Sequence, residues 1–189
     1  MNTKEKLLKV TFDEIYENGY YSTSVDKILK KASMNKGSMY HYFKSKKELV
    51  LAVIDVHVYD YIYKKYSVIL ESKENHVDAI FKVLKNKSSF NFIYGCRLNS
   101  LVQELSHQDK DFKIALEKVY LMFEKIFEEI LTKASLNNEI VHPDIKALSI
   151  FVVASIEGSI STAKKSQNCN AYDDCISQLE FFLNKLKTS

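Results

Sequence analysis

The side chains best suited to chemistry lie between residues 23 and 46 of this 189-residue chain. Lys36-Gly37-Ser38 runs into Tyr40-His41-Tyr42, with Thr23 before them and Lys44 and Lys46 after. These types suit contact with a polyanion. Ammonium and hydroxyl groups bond phosphate oxygens, rings with polar tips touch phosphates and thymine methyls, and Gly37 lets a backbone come close. The charge balance agrees. Residues 1–50 hold ten Lys against six Asp and Glu, a net of +4, and the rest carries −1, giving the total of +3. A basic module on a neutral body is the footprint that nucleic acid requires, although many solvated helical faces are as basic. Packing is the other account of Tyr40 or Tyr42, and solvation that of Lys44. Met39 and Phe43 read as core.

Cys96 is the other reactive candidate. A thiol becomes nucleophilic where cations stabilise its thiolate, and Arg97 is adjacent. The plainer account is a small cysteine buried behind Gly95. Cys169 and Cys175 carry no motif, and three cysteines without CxxC or Cys/His zinc spacing point to neither a disulfide framework nor a metal site. His41 has no acidic or cysteine neighbour, and His57, His76, His107 and His142 are scattered. The acid pairs Glu128-Glu129 and Asp173-Asp174 diverge on a helix. No phosphate loop or nucleophile elbow is present, so no catalytic residue, metal or cofactor is expected. Tyr59, Tyr63, Phe90, Phe92, Tyr94, Tyr120, Phe123 and Phe127 could wall a small-molecule pocket or fill a core.

The elements that position these residues read as helices. Four Gly and one Pro are too few for the turns of a sheet-rich fold. The fold expected is all-α, with about nine helices in two domains, 1–50 and 51–189. Apolar spacing predicts helices over Lys4–Asn18, Val25–Ala32 and Lys36–Phe43, with Asn35 capping the last. The second and third form a helix-turn-helix over about 24–43. Ser45 and Glu48 make a capping box that opens a helix from Lys46 to about Ser72. Further helices are expected over Val77–Lys87, Leu98–Ser106, Lys110–Leu136, from Pro143 at the first helical position to Ser166, and over Tyr172–Leu186. Ile150, Val153, Ala154, Ile156, Gly158, Ile160 and Ser161 spread around the penultimate helix, and Ile176, Leu179, Phe182, Leu183 and Leu186 stripe the last. Both can pair with a second copy of the chain or form an intrachain core. The longest apolar run, Leu148–Ile156, is short of the ~20 residues that span a bilayer. The Asn2-Thr3-Lys4-Glu5-Lys6 start leads into an amphipathic pattern, so no apolar signal segment is expected there. A cytoplasmic protein with no membrane partner is expected.

The segment TSVDKILKKASMNKGSMYHYFKSKKEL, preceded by Gly19-Tyr20, resembles the N-terminal pattern of the TetR family of bacterial transcriptional regulators over about residues 4–52. Ser33 departs from the Gly usual in that turn. The resemblance implies a three-helix helix-turn-helix DNA-binding domain and a helical effector-binding and dimerisation domain. It implies a homodimeric repressor that binds a palindromic double-stranded operator and is released by a small hydrophobic or electrophilic effector. It supports Thr23, Lys36, Gly37, Ser38, Tyr40, His41, Tyr42 and Lys46 as DNA contacts. Gly95-Cys96-Arg97-Leu98, Glu104-Leu105-Ser106, Glu157-Gly158 and Lys164 are similar to a branch that includes regulators of electrophile and small-molecule detoxification. On that basis Lys164 approaches Cys96, and the effector set is Tyr59, Tyr63, Phe92, Cys96, Tyr120, Phe123, Phe127 and Lys164. The alternative function is a thiol-based repressor switched at Cys96.

Overall fold

Six helices of the chain start where a side chain accepts from their free N–H groups, and the order of these starts sets much of the architecture. The computed structural model describes residues 2–188. Helix α1 is Thr3–Asn18, capped by Asn2, whose side chain accepts from the Glu5 amide. Ser24 caps α2 (Val25–Ala32) and Asn35 caps α3 (Lys36–Tyr40). Ser45 opens α4 by accepting from the Glu48 amide, while the Glu48 carboxylate accepts from Lys44 N–H at 2.8 Å, one residue before the expected partner.

Helix α4 runs through Lys46–Val53, a π turn at Ile54–Val58, and Tyr59–Tyr66. It stops before the expected Ser72, tightening to a 3₁₀ turn over Ser67–Glu71. Lys133 donates to the Leu70 carbonyl there, at 2.9 Å, and so satisfies an end that no longer bonds along the helix. Helices α5 (His76–Leu84), α6 (Arg97–Leu105) and α7 (Lys110–Leu136) follow. Pro143 does not begin the next helix. Asp144 caps it, accepting from the Ala147 amide at 2.9 Å, and α8 is Ile145–Lys164. Last comes α9, Asn170–Lys185. Nine helices and no strands are present among the described residues.

The chain forms two units. One takes the residues up to Ile62 together with Arg97–Tyr120; the other takes Tyr63–Cys96 and Leu121 onward. The first is built on fully buried Leu7, Ile28, Met39, Leu49 and Val50, and the second on Tyr66, Ile80, Phe123, Phe127, Val152, Ile156 and Tyr172. Tyr172 also donates to the Leu84 carbonyl at 2.7 Å, and burial raises its hydroxyl pKa strongly.

Helix α8 is, among the described residues, the one helix long and apolar enough to cross a membrane by length and composition. That differs from the short run read in the sequence, because small residues extend the apolar stretch in both directions. Its apolarity has two faces. Val152, Val153, Ile156 and Ile160 are buried, while Ile150 and Phe151 face outward.

Candidate functional site

Helix α3 is short and docks by one side. Met39 is fully buried and Phe43 nearly so, which turns Lys36, Gly37, Tyr40, His41 and Tyr42 toward solvent. Tyr40 is 54% and Tyr42 38% exposed, so neither ring is core. The His41 and Tyr42 rings meet edge to face at 4.7 Å, which restricts both. Asn35 anchors the start of the helix, accepting from the Ser38 amide at 2.8 Å and from its hydroxyl at 3.1 Å. A Cβ on Gly37 would come within 3.3 Å of that Asn35 oxygen, so the glycine protects the cap as well as exposing backbone. Lys36 pairs with Asp26 at 3.0 Å; the carboxylate holds the ammonium above its usual range and keeps it on this face. The sequence reading missed the neighbouring polar cleft of about 360 Å³, lined by Asn2, Thr3, Lys6, Asn35 and Ser38.

Two expected contacts do different work. Thr23 is fully buried, and its hydroxyl donates to the Gly19 carbonyl at 2.7 Å. Lys46 donates to the carbonyls of Tyr20 and Thr23 at 2.7 and 2.9 Å and lies 4.0 Å from the Tyr20 ring centroid. Burial lowers its pKa. Both residues therefore brace the Gly19–Thr23 loop that sets the start of α2. Sequence spacing could not separate these jobs, because a bracing lysine and a phosphate-binding lysine look alike until the loop carbonyls are in place.

The same loop is held from α6. Glu104 accepts from the amides of Tyr20 and Tyr21, each at 2.9 Å. Gly19, at φ +80°, leaves room for this carboxylate, which a Cβ would meet at 3.1 Å. Arg97 lies over the rings of Phe12 and Tyr16 at 4.0 and 3.9 Å and pairs with Asp13 at 3.2 Å. Stacking and a fork of donors make this a strong use of a guanidinium. Arg97 is thus committed to α1, not to the adjacent Cys96.

In the second unit the cation coupled to Cys96 is Lys65, while Lys164 lies exposed in the last turn of α8. Cys96 is 8% exposed. Lys65 donates to the Ser89 carbonyl at 2.7 Å and sits 3.4 Å from the Phe90 ring centroid; burial lowers its pKa to about 8. Glu157 on α8 completes the cluster. Neither of its oxygens has a hydrogen-bond partner, and burial raises its pKa to about 7, with the Cys96 thiol and the Lys65 charge acting the other way. Neither Lys65 nor Glu157 had been given a role from the sequence. The available signal was a lone acid in the most apolar helix, which demands an explanation wherever it is buried.

The aromatic set is divided. Phe123 and Phe127 are fully buried and pack on Tyr66 at 4.5 and 5.5 Å, as core in place of the expected pocket wall. Phe92 joins Phe90 and Tyr172 in a second cluster, and Tyr63 is 45% exposed. Tyr59 and Tyr120 belong to the first unit.

Residues 7–53 match the family described as bacterial regulatory proteins, tetR family, and residues 70–178 match the C-terminal domain of LmrA/YxaF-like transcriptional regulators. The chain is 36% identical over its whole length to an HTH-type transcriptional regulator from the lacX 3′ region of Lactococcus lactis, covering 93% of that protein. It is 27% identical to the HTH-type transcriptional regulator LmrA of Bacillus subtilis, over 94% of this chain and 96% of that one. A crystal structure of the reduced form of Escherichia coli NemR superposes with a TM-score of 0.86 at 22% identity, covering 95% of each chain. A solvent-facing α3 behind a capped turn, joined to a helical body with its own matching model, places this chain in the TetR family of DNA-binding transcriptional regulators.

Proposed function

We propose that the chain acts as a homodimeric repressor that reads a two-fold operator through two copies of α3 and lets go when its second unit takes up an effector. The observation that carries this reading is the outward face of α3. Lys36, Ser38, Tyr40, His41 and Tyr42 present donors and rings over a buried Met39–Phe43 footing, the arrangement a major groove accepts. The cleft at Lys6 and Asn35 adds donors for a phosphate. Thr23 and Lys46 hold the loop that aims the helix.

Dimerisation is supported by α8 and α9. Ile150, Phe151, Phe181 and Phe182 are 38–59% exposed, and the Phe151 and Phe182 rings meet at 5.2 Å. Nothing lies within 4 Å of a Cβ built on Gly158, so a second backbone can approach there. An exposed apolar patch of this kind marks an interface.

Selection of bound duplexes from a random pool tests the reading. The recovered sites should carry two inverted half-sites about 34–36 Å apart, and affinity should fall steeply with salt. Tyr42→Ala should retain the helical circular dichroism and lose binding. Recovery of single half-sites, or full binding by Tyr42→Ala, contradicts it.

A second reading concerns the effector. The Lys65–Cys96–Glu157 cluster favours a covalent or redox event at the thiol as the releasing step. An alkylating agent should then release operator from the wild type and not from Cys96→Ser. Equal release from both rejects this reading alone.

A further inference from the structure

Three stretches of the second unit bound a groove of about 550 Å³: the end of α4 with its 3₁₀ turn, the connection after it, and α5. Its lining lies between residues 64 and 89, wholly within the Tyr63–Cys96 part of that unit. The apolar part of the lining is aliphatic, with Val68, Ile69, Ala79 and Val83. Ile69 and Ala79 are buried, whereas Val68 is 55% exposed, a large apolar side chain left in water at the groove. The charged part is one-sided. Lys64, Lys65, Lys73 and Lys82 line the groove with a single acid, Glu74. Each bounding stretch supplies at least one of these lysines, so positive potential is focused on the groove instead of running along one helix face.

One carboxylate is already held there. Lys82 donates to both oxygens of Glu74, at 2.9 and 3.1 Å. Both side chains are exposed, so this pair is weak and exchanges readily. Lys65 is less exposed than the other three lysines; it donates to the Ser89 carbonyl at 2.7 Å and lies 3.4 Å from the Phe90 ring centroid. Burial takes its pKa down to about 8, and an anion brought beside it restores part of the stabilisation lost with its hydration.

We propose that this groove is a binding site for a small aliphatic carboxylate, its chain over Val68, Ile69 and Val83 and its head group among Lys65, Lys73 and Lys82, where it displaces Glu74 from Lys82. A groove of this volume accepts a small molecule, and an apolar floor with a few polar groups at one end fixes its orientation. A neutral chain leaves the lysines unanswered, and a cation meets an excess of like charge. The groove therefore reads chain length and one negative charge. The site stands independently of the thiol reading, because its lining does not include Cys96 and its occupancy is measured without operator DNA.

Octanoate is the probe, titrated into the full chain by calorimetry below its aggregation concentration. It should bind at one site per chain. Decanoate should bind more tightly, by up to about fourfold for each added methylene that the groove covers. Octan-1-ol and octylammonium should each bind about tenfold more weakly or worse. Lys73→Glu, at an exposed position, should weaken octanoate on the order of tenfold, and Lys65→Met should do the same. Glu74→Gln should tighten it about two- to fivefold, because the internal competitor for Lys82 is gone. Loss of a merely structural ion pair does not produce such a gain. Circular dichroism follows the folding of each variant; should Lys65→Met fold poorly, the exposed Lys73→Glu and Glu74→Gln carry the test. No saturable binding of octanoate, equal affinity for octanoate and octan-1-ol, or octanoate binding unmoved by both Lys73→Glu and Glu74→Gln overturns the proposal.

Discussion

Two glutamates, one in each unit, are removed from water to the same degree and answered differently. Glu14 on α1 is fully buried and meets Lys27 at 3.2 Å and Lys31, both from α2. Burial pushes its pKa up, but the hydrogen bonds from Lys31 and Lys27 outweigh this and hold it below the usual range. Glu157 is as little exposed, but there burial outweighs the opposing effects of the Cys96 thiol and the Lys65 charge, and its pKa moves the opposite way, to about 7. The first arrangement is framework: two cations tie α1 to α2, the helix that precedes the turn into α3. The second holds free energy that packing does not recover, and a group of that kind is kept for chemistry more often than for stability.

The largest expected effect separates the two through pH. Glu157 has its folded pKa raised from 4.5 to about 7, so the folded state suffers no charge penalty below 4.5 and loses stability as pH rises from there to 7. That displacement converts to on the order of 3 kcal/mol. Glu157→Gln should therefore gain on the wild type across this window in chemical denaturation, with little difference at pH 4. A constant difference across the window removes the contrast. Glu14 carries the opposite sign. Its pKa is lowered, so its contribution is present above 4.5 and lost as pH falls through the folded value.

Next in size is Glu104→Ala. It leaves the Tyr20 and Tyr21 amides without their acceptor and Lys46 as the remaining brace of the loop. A loss of about 2 kcal/mol is expected, since each donor stripped of its partner costs about 1–3 kcal/mol where water cannot replace it and less where it can. Operator affinity should fall with it, while Cys96 alkylation should not change. Glu14→Gln follows at about 1–2 kcal/mol at pH 7, because Lys27 and Lys31 are half exposed and water takes back part of their charge. Its deficit should shrink toward pH 3, which distinguishes a lost ion pair from a packing defect.

How much of this was legible in the sequence depended on whether the signal was local. Ser24, Asn35 and Ser45 each mark a helix start within three residues, and Lys110–Leu136 has in the structure the bounds read from the sequence because its apolar period runs unbroken. Met39 and Phe43 read as core from the sequence, while Tyr40 and Tyr42 stayed open between packing and contact until their exposure was seen. The partners of Cys96 were not. Lys65 and Glu157 are distant in the chain, and the adjacent Arg97 was the nearer guess, although it turns instead to Phe12, Tyr16 and Asp13. The bracing bonds of Thr23 and Lys46 were hidden for the same reason: a backbone carbonyl has no sequence signature, so a side chain that serves one resembles a free donor.

The smallest expected effect tests whether the first unit is as settled as Glu14 makes it look. Ser33 ends α2 at φ 54°, ψ 49°, in the left-handed region, with its N–H donating to the Leu29 and Lys30 carbonyls. A residue with a Cβ pays about 1 kcal/mol there, and glycine recovers most of this while losing some in the unfolded chain. Ser33→Gly should therefore stabilise by about 0.5 kcal/mol, seen as a higher denaturant midpoint with an unchanged slope. If the variant is instead less stable, the serine is making a compensating interaction, and the turn between α2 and α3 is at its optimum. If it gains as expected, the first unit carries strain of its own at the turn before α3, and the contrast with Glu157 becomes one of degree: a small backbone cost against a large desolvation cost.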